Sequence, residues 1–144
     1  MRISMKGKYA IELMIDLAAH NTGQPIKIKD IARRQEISVK YLEQIISSLH
    51  KASLVKSIRG SQGGYVLAKE PEEYTVEMIL KITERTLSPS DCVGENSVAC
   101  ENKPMCVTNR IWEKLEDAIS GVLGDITLAD LLGWQRELGN HYSI

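Results

Sequence analysis

Residues 28–68 read as two short helices followed at once by two short strands, an order that leaves few folds open. The first helix runs from about Ile28 to Gln35, with Ile31 and Ala32 inward and Arg33 and Arg34 outward. Lys27, at its expected cap position, is a poor N-cap. After the tight turn Glu36-Ile37-Ser38, Ser38 is a good cap, and Tyr41, Leu42, Ile45, Ile46 and Leu49 give the next helix its buried stripe. The pair has the outline of a helix-turn-helix. Val39, Lys40, Glu43 and Gln44, at the exposed start of the second helix, would face a major groove. There Gln bonds adenine bidentately, Glu accepts from cytosine, and Lys40 suits a phosphate. The competing reading is a plain helical packing unit with a solvated polar face.

Leu54–Arg59 and Gly64–Ala68 then read as strands around Gly60-Ser61-Gln62-Gly63. A hairpin directly after a recognition helix is the wing of a winged helix. Gly63 and Gly64 are expected to supply positive φ and close backbone approach. Arg59, at the base of the tip, is placed to enter a narrow minor groove. The expected fold class is therefore mainly α with a small β-hairpin wing.

Charge supports a polyanionic partner. Residues 1–69 carry 12 Lys+Arg against 5 Asp+Glu, whereas residues 70–144 carry 6 against 14. A cationic half on a chain of net charge −1 points to nucleic acid. No apolar run approaches the roughly 18 residues needed to cross a bilayer, and Glu12 and Asp16 interrupt any signal-peptide core. A cytoplasmic, reducing location is the expectation, with no membrane partner. Nothing suggests an enzyme: there is no convincing nucleophile–base set, and Gly60–Gly64 lacks the lysine of a phosphate loop.

Around this unit, Tyr9, Ala10, Leu13, Met14, Leu17 and Ala18 mark a helix from Gly7 to His20. Thr75 caps a helix carrying Val76, Ile79, Leu80 and Ile82. Val107 to Leu123 is the longest amphipathic run, with Ile111, Leu115, Ala118, Ile119 and Val122 at helical spacing. A short helix follows from Thr127, near-boxed by Asp130, and Trp112 and Trp134 are expected to be buried. The long helix is either internal core or the contact of a two-fold homodimer, which a reader of paired half-sites favours. The organisation is 1–85 as a DNA-binding unit, 86–106 as a loop, and 107–144 as a dimerisation helix and C-terminal helix.

All three cysteines, Cys92, Cys100 and Cys106, lie on that loop, which also holds Pro89 and Pro104. In a reducing compartment clustered cysteines bind metal or do redox chemistry more often than they form disulfides. No Cys-x-x-Cys knuckle argues for structural zinc. Three thiolates and one further ligand suit an iron–sulfur cluster. Bare redox thiols on a DNA-binding protein, and a cluster carrier whose winged helix binds only proteins, remain as alternatives.

Ile37-Ser-Val-Lys-Tyr-Leu-Glu-Gln-Ile, Ala52-Ser-Leu-Val-Lys-Ser and Arg59-Gly-Ser-Gln-Gly-Gly-Tyr-Val-Leu closely resemble the signature of the Rrf-type family of bacterial winged-helix transcription regulators, which has IscR-, NsrR- and CymR-like branches. The resemblance extends from Met-Arg-Ile-Ser-Met-Lys-Gly-Lys-Tyr-Ala at the start to the end of the chain. It implies a dimeric repressor or activator, with Lys40, Tyr41, Glu43 and Gln44 on the recognition helix and Arg59, Gly60 and Ser61 on the wing against double-stranded promoter DNA. It also implies that Cys92, Cys100 and Cys106 hold a cluster, [2Fe-2S] first and [4Fe-4S] as the alternative. CymR-like members lack the triad. Here the chain departs from its relatives: Asn109 stands where IscR-like members have a histidine ligand, Lys8 where NsrR-like members have a carboxylate, and Arg33 where another member has a histidine. Asp91, Glu95, Glu101, Glu12 and an exogenous thiol or water stay open as the fourth ligand, while His20, His50 and His141 read as surface or packing residues.

Overall fold

The computed structural model describes residues 1–95, 97–98 and 100–142, with side chains described through residue 139. Helix α1 (Met5–Ala19) begins earlier than the apolar spacing predicts, because the Ser4 side chain caps it by accepting from the Gly7 N–H at 3.0 Å. Helix α2 (Ile28–Gln35) has no side-chain cap at Lys27 and closes on Glu36 in the left-handed region. Helix α3 (Val39–Lys51) is capped by Ser38, which accepts from the Tyr41 N–H at 3.2 Å. Strands β1 (Val55–Ile58) and β2 (Gly64–Leu67) pair antiparallel in register Val55↔Leu67 to Ile58↔Gly64. Ile26 adds a further bridge to Tyr65, tying the wing to the chain before α2.

Helix α4 (Val76–Thr83) starts at Thr75, whose hydroxyl accepts from the Met78 N–H. Helix α5 (Asn109–Asp125) follows the cysteine loop. Helix α6 (Leu128–Tyr142) is 15 residues, not the short helix expected. Its start is the predicted box: Thr127 N–H donates to Asp130 at 2.9 Å and Asp130 N–H to Thr127 at 3.0 Å. It runs on because Leu128 and Leu132 are buried against α1 and no proline follows them to break it, although Gly133 and Gly139 lie within it.

The core forms where α1, α3 and α4 meet. Leu13, Met14, Leu17, Leu42, Ile45, Ile46, Leu49 and Ile79 are fully buried there, each contributing about 1.5–3 kcal/mol. Helix α6 packs on α1, so the two ends of the chain share this core. Helix α1 can approach α4 closely because residue 7 is glycine: a Cβ there would lie 3.0 Å from Glu84 Oε2 and 3.1 Å from Leu80 Cδ2. Tyr74, fully buried, donates its hydroxyl to the Leu54 carbonyl at 2.6 Å and accepts the Ala68 and Lys69 N–H groups at 3.0 Å.

Helix α5 lies along α4 and outside the core, with Asn109 its one buried residue. Ile111, Leu115 and Val122 are 51 %, 42 % and 56 % exposed, so its apolar stripe is not covered within the chain. The expectation for the tryptophans is corrected. Trp112 is half-buried and Trp134 is exposed, because α6 turns Leu128 and Leu132 to α1 and leaves Trp134 on its outer side. Among the described residues no helix is long and apolar enough to cross a membrane.

Candidate DNA-reading face and cysteine loop

Lys40, Glu43 and Gln44 are exposed along one side of α3. Two of their neighbours are not. Val39 packs on the core rather than standing free, and Tyr41 is half-buried, its ring edge-on to Tyr9 of α1 at 5.7 Å and 87°. Only one side of Tyr41 is thus available to a duplex. On the wing, Arg59, Gly60 and Ser61 are exposed. Positive φ falls at Gly64 (159°), as expected, and at Gly60 (111°) rather than Gly63. Gly63 is needed for a different reason: any Cβ there would collide with the Ile58 carbonyl.

Arg34, exposed as expected, also reaches back to Asp16 on α1, which binds Gln35 as well. Asp16 is 3 % exposed. Burial alone would raise its pKa, but the hydrogen bonds from Arg34 and Gln35 and the Arg34 charge outweigh that and hold it below the usual carboxylate value. The signal was present in the sequence, since Asp16 lies within the apolar stripe Leu13-Met14-Leu17 and had to find a partner there.

The cysteine loop starts at Glu84, whose carboxylate accepts the Ser4 N–H at 2.6 Å and the Ser4 hydroxyl at 2.7 Å. Burial opposes its ionisation, yet these two bonds leave its pKa lowered. The root of the loop is therefore fixed to the first turn of α1. Further along, Val93 is buried and anchors the chain beside Cys92. Cys92 and Cys100 are exposed and Cys106 is half-buried, all three as free thiols. Among the described residues no three His, Cys, Asp or Glu side chains are gathered into a metal-holding group.

Cys106 is the most structured of the three. Its Sγ lies 3.2 Å from the Thr108 hydroxyl, the first cause that pulls its pKa down, and its carbonyl accepts the Asn109 N–H at 3.2 Å at the start of α5. Asn109 itself is 4 % exposed, with Nδ2 donating to Glu113 at 2.9 Å and Oδ1 unpartnered among the described residues. Of the open candidates, Glu95 pairs with Lys81 at 3.3 Å, and Glu12, Asp91 and Glu101 are exposed. His20 Nδ1 donates to the Asp16 carbonyl at 2.9 Å and His50 is exposed; the His141 side chain lies outside the described residues. Three soft thiols on one loop are the donor type that suits an iron–sulfur cluster.

A helix-turn-helix with a wing, followed by such a loop, can be matched against known proteins. The family model described as "Iron-dependent Transcriptional regulator", Rrf2, matches residues 3–133. The chain belongs to the Rrf2 family. The HTH-type transcriptional regulator IscR of Serratia proteamaculans is 39 % identical over 138 residues, covering 96 % of this chain and 83 % of that protein. The structure of CymR, the global cysteine regulator of B. subtilis, has a TM-score of 0.77 at 39 % identity, covering 93 % of this chain and 98 % of CymR. T. potens IscR has a TM-score of 0.75 at 41 % identity, covering 96 % of this chain and 90 % of its own. As an Rrf2 protein the chain is a DNA-binding transcription regulator and not an enzyme.

Proposed function

We propose that this Rrf2 chain acts as a two-fold homodimer on promoter DNA and that its affinity answers to an iron–sulfur cluster held by Cys92, Cys100 and Cys106. One observation carries the reading: every cysteine of the chain lies on the loop whose root, Glu84, is bonded to the N-terminus of α1. Helix α1 in turn touches the recognition helix through Tyr9 and Tyr41. A change in the loop therefore has a continuous packed route to Glu43 and Gln44.

In this reading Glu43 and Gln44 meet base edges, and Lys40 meets phosphate. Arg59 enters the minor groove with Gly60 and Ser61 letting the wing tip approach the backbone. The exposed stripe of α5 meets its copy in the partner, giving two recognition helices related by symmetry. A [2Fe-2S] cluster is the form proposed, with [4Fe-4S] the alternative; when bound it supplies an iron site responsive to iron, oxidative or nitrosative conditions.

Exposed thiols that are not gathered together, and the likeness to CymR, favour one second reading: a regulator of sulfur metabolism working through bare thiols or a partner protein. Anaerobic reconstitution separates the two. The cluster reading expects a brown protein whose visible absorption is lost in each Cys→Ala variant, with holo and apo forms binding a promoter fragment differently at fixed salt. Colourless protein with full DNA binding supports bare thiols. Affinity should fall steeply with salt in either case, and salt-insensitive binding contradicts both.

A further inference from the structure

A cavity of about 630 Å³ lies between α4, α5 and the root of the cysteine loop, a size that suits a small organic ligand. Leu87, Ile119 and Leu123 give it an apolar wall; Ile119 and Leu123 are half-buried there, while Leu115 and Val122 stay exposed on α5. The charged groups of the lining are unequally engaged. Glu84 is held by Ser4, and Glu77 and Glu95 share Lys81 at 3.3 Å each. Two groups are left over. Glu116, half-buried on α5, has a buried Oε2 with no donor among the described residues. Arg85, exposed and next to the anchored Glu84, forms no ion pair among the described residues. The loop is shaped to this wall. Gly94 turns it at φ 92°, and a Cβ there would overlap Ser88 Oγ and lie 3.5 Å from Glu116 Oε1. Ser88, Gly94 and Glu116 therefore converge on one corner of the cavity.

We infer that this cavity binds a small zwitterion of the amino-acid class, its ammonium on Glu116, its carboxylate on Arg85 and its side chain against Leu87, Ile119 and Leu123. An ammonium brings three donors to a carboxylate that lacks one, and the planar fork of Arg85 matches a carboxylate. Ligands of one charge fit less well. An anion would face Glu77, Glu84, Glu95 and Glu116 against Lys81 and Arg85, and a simple cation would leave Arg85 without an acceptor. Binding is non-covalent and transfers no electron. Because Arg85 belongs to the loop root and Glu116 to α5, an occupied cavity ties these two elements together whatever the cysteines hold.

The test uses the full chain, reduced and free of iron, titrated calorimetrically with each of the standard L-amino acids. The tightest binder is then repeated as its N-acetyl and its carboxamide forms. At least one amino acid should bind, and blocking either end should weaken it on the order of tenfold or more. Glu116→Gln should abolish the preference for the free amine over the N-acetyl form. Arg85→Met should abolish the preference for the free carboxylate over the carboxamide. Melting curves check that each variant is folded, and the exposed Arg85 keeps the test decisive if Glu116→Gln is not. Absence of binding by every amino acid overturns the inference. So do blocked forms that bind as well as the free one, or variants that keep the wild-type preferences.

Discussion

Arg34 closes on Asp16 as a two-point fork, Nε to Oδ2 at 3.0 Å and Nη2 to Oδ1 at 2.7 Å, joining α2 to α1 inside the DNA-binding unit. The two partners are not equivalent. Asp16 is buried, whereas the Arg34 side chain keeps 31 % of its exposure. Removing Arg34 strands a carboxylate in the core with Gln35 and, at 3.5 Å, His20 beside it, while removing Asp16 lets Arg34 return to water. Arg34→Ala should therefore cost about 3 kcal/mol and Asp16→Ala about 2 kcal/mol in denaturant unfolding. The reverse order would contradict this account.

The same pair sets an acid limit. Because the folded Asp16 pKa lies below its ordinary value of 3.8, the contribution of the pair is complete above pH 3.8 and is lost as pH falls further through the folded value. Unfolding free energy of the wild type should drop faster than that of Asp16→Asn as pH falls below 3.8. Parallel curves for the two proteins in that window would remove Asp16 as the cause.

Glu36 ends α2 with φ 54° and ψ 43°, a conformation that costs a side chain and costs glycine almost nothing. Its side chain is exposed in the helix-turn-helix bend. Glu36→Gly should raise stability by about 0.5–1 kcal/mol, read as a higher thermal midpoint with unchanged helicity.

Tyr74 fixes the base of the wing with a single hydroxyl that serves the Leu54 carbonyl and two backbone N–H groups. Burial, opposed by those two N–H bonds, pushes its pKa up, so the group stays a neutral donor through the physiological range. Tyr74→Phe keeps the ring packing and leaves three backbone groups short of a partner. It should cost about 1–3 kcal/mol and speed hydrogen exchange at Ala68 and Lys69. Unchanged exchange there would show that water replaces the hydroxyl.

Much of this was legible from spacing and caps. Ser38, Thr75 and the Thr127–Asp130 box each mark a helix start that the structure places at the same residue, since capping is a local interaction. The wing was legible because its turn glycines and β-branched strand residues are local signals as well. What was not legible depends on contacts far apart in the chain. The Asp16–Arg34 fork spans 18 residues and the Ser4–Glu84 clamp spans 80. The burial of Asn109 likewise follows from how α5 leaves the cysteine loop, and no sequence rule marks that asparagine as different from an exposed one.

The exposed stripe of α5 gives the sharpest test of assembly. Ile111, Leu115, Ala118 and Val122 recur at four- and three-residue spacing, all exposed, while Trp112 and Ile119 on the adjacent side are half-buried. If the stripe meets its own copy, an aspartate at its middle must be desolvated against its symmetry mate, so Leu115→Asp should give a folded monomer by sedimentation. The monomer keeps its recognition helix but loses the second half-site, and affinity for a two-half-site operator should fall on the order of a hundredfold. Its affinity for a single half-site should stay unchanged, because Leu115 lies on α5 and the reading residues lie on α3 and the wing. A Leu115→Asp protein that remains a dimer at wild-type concentration places the interface elsewhere.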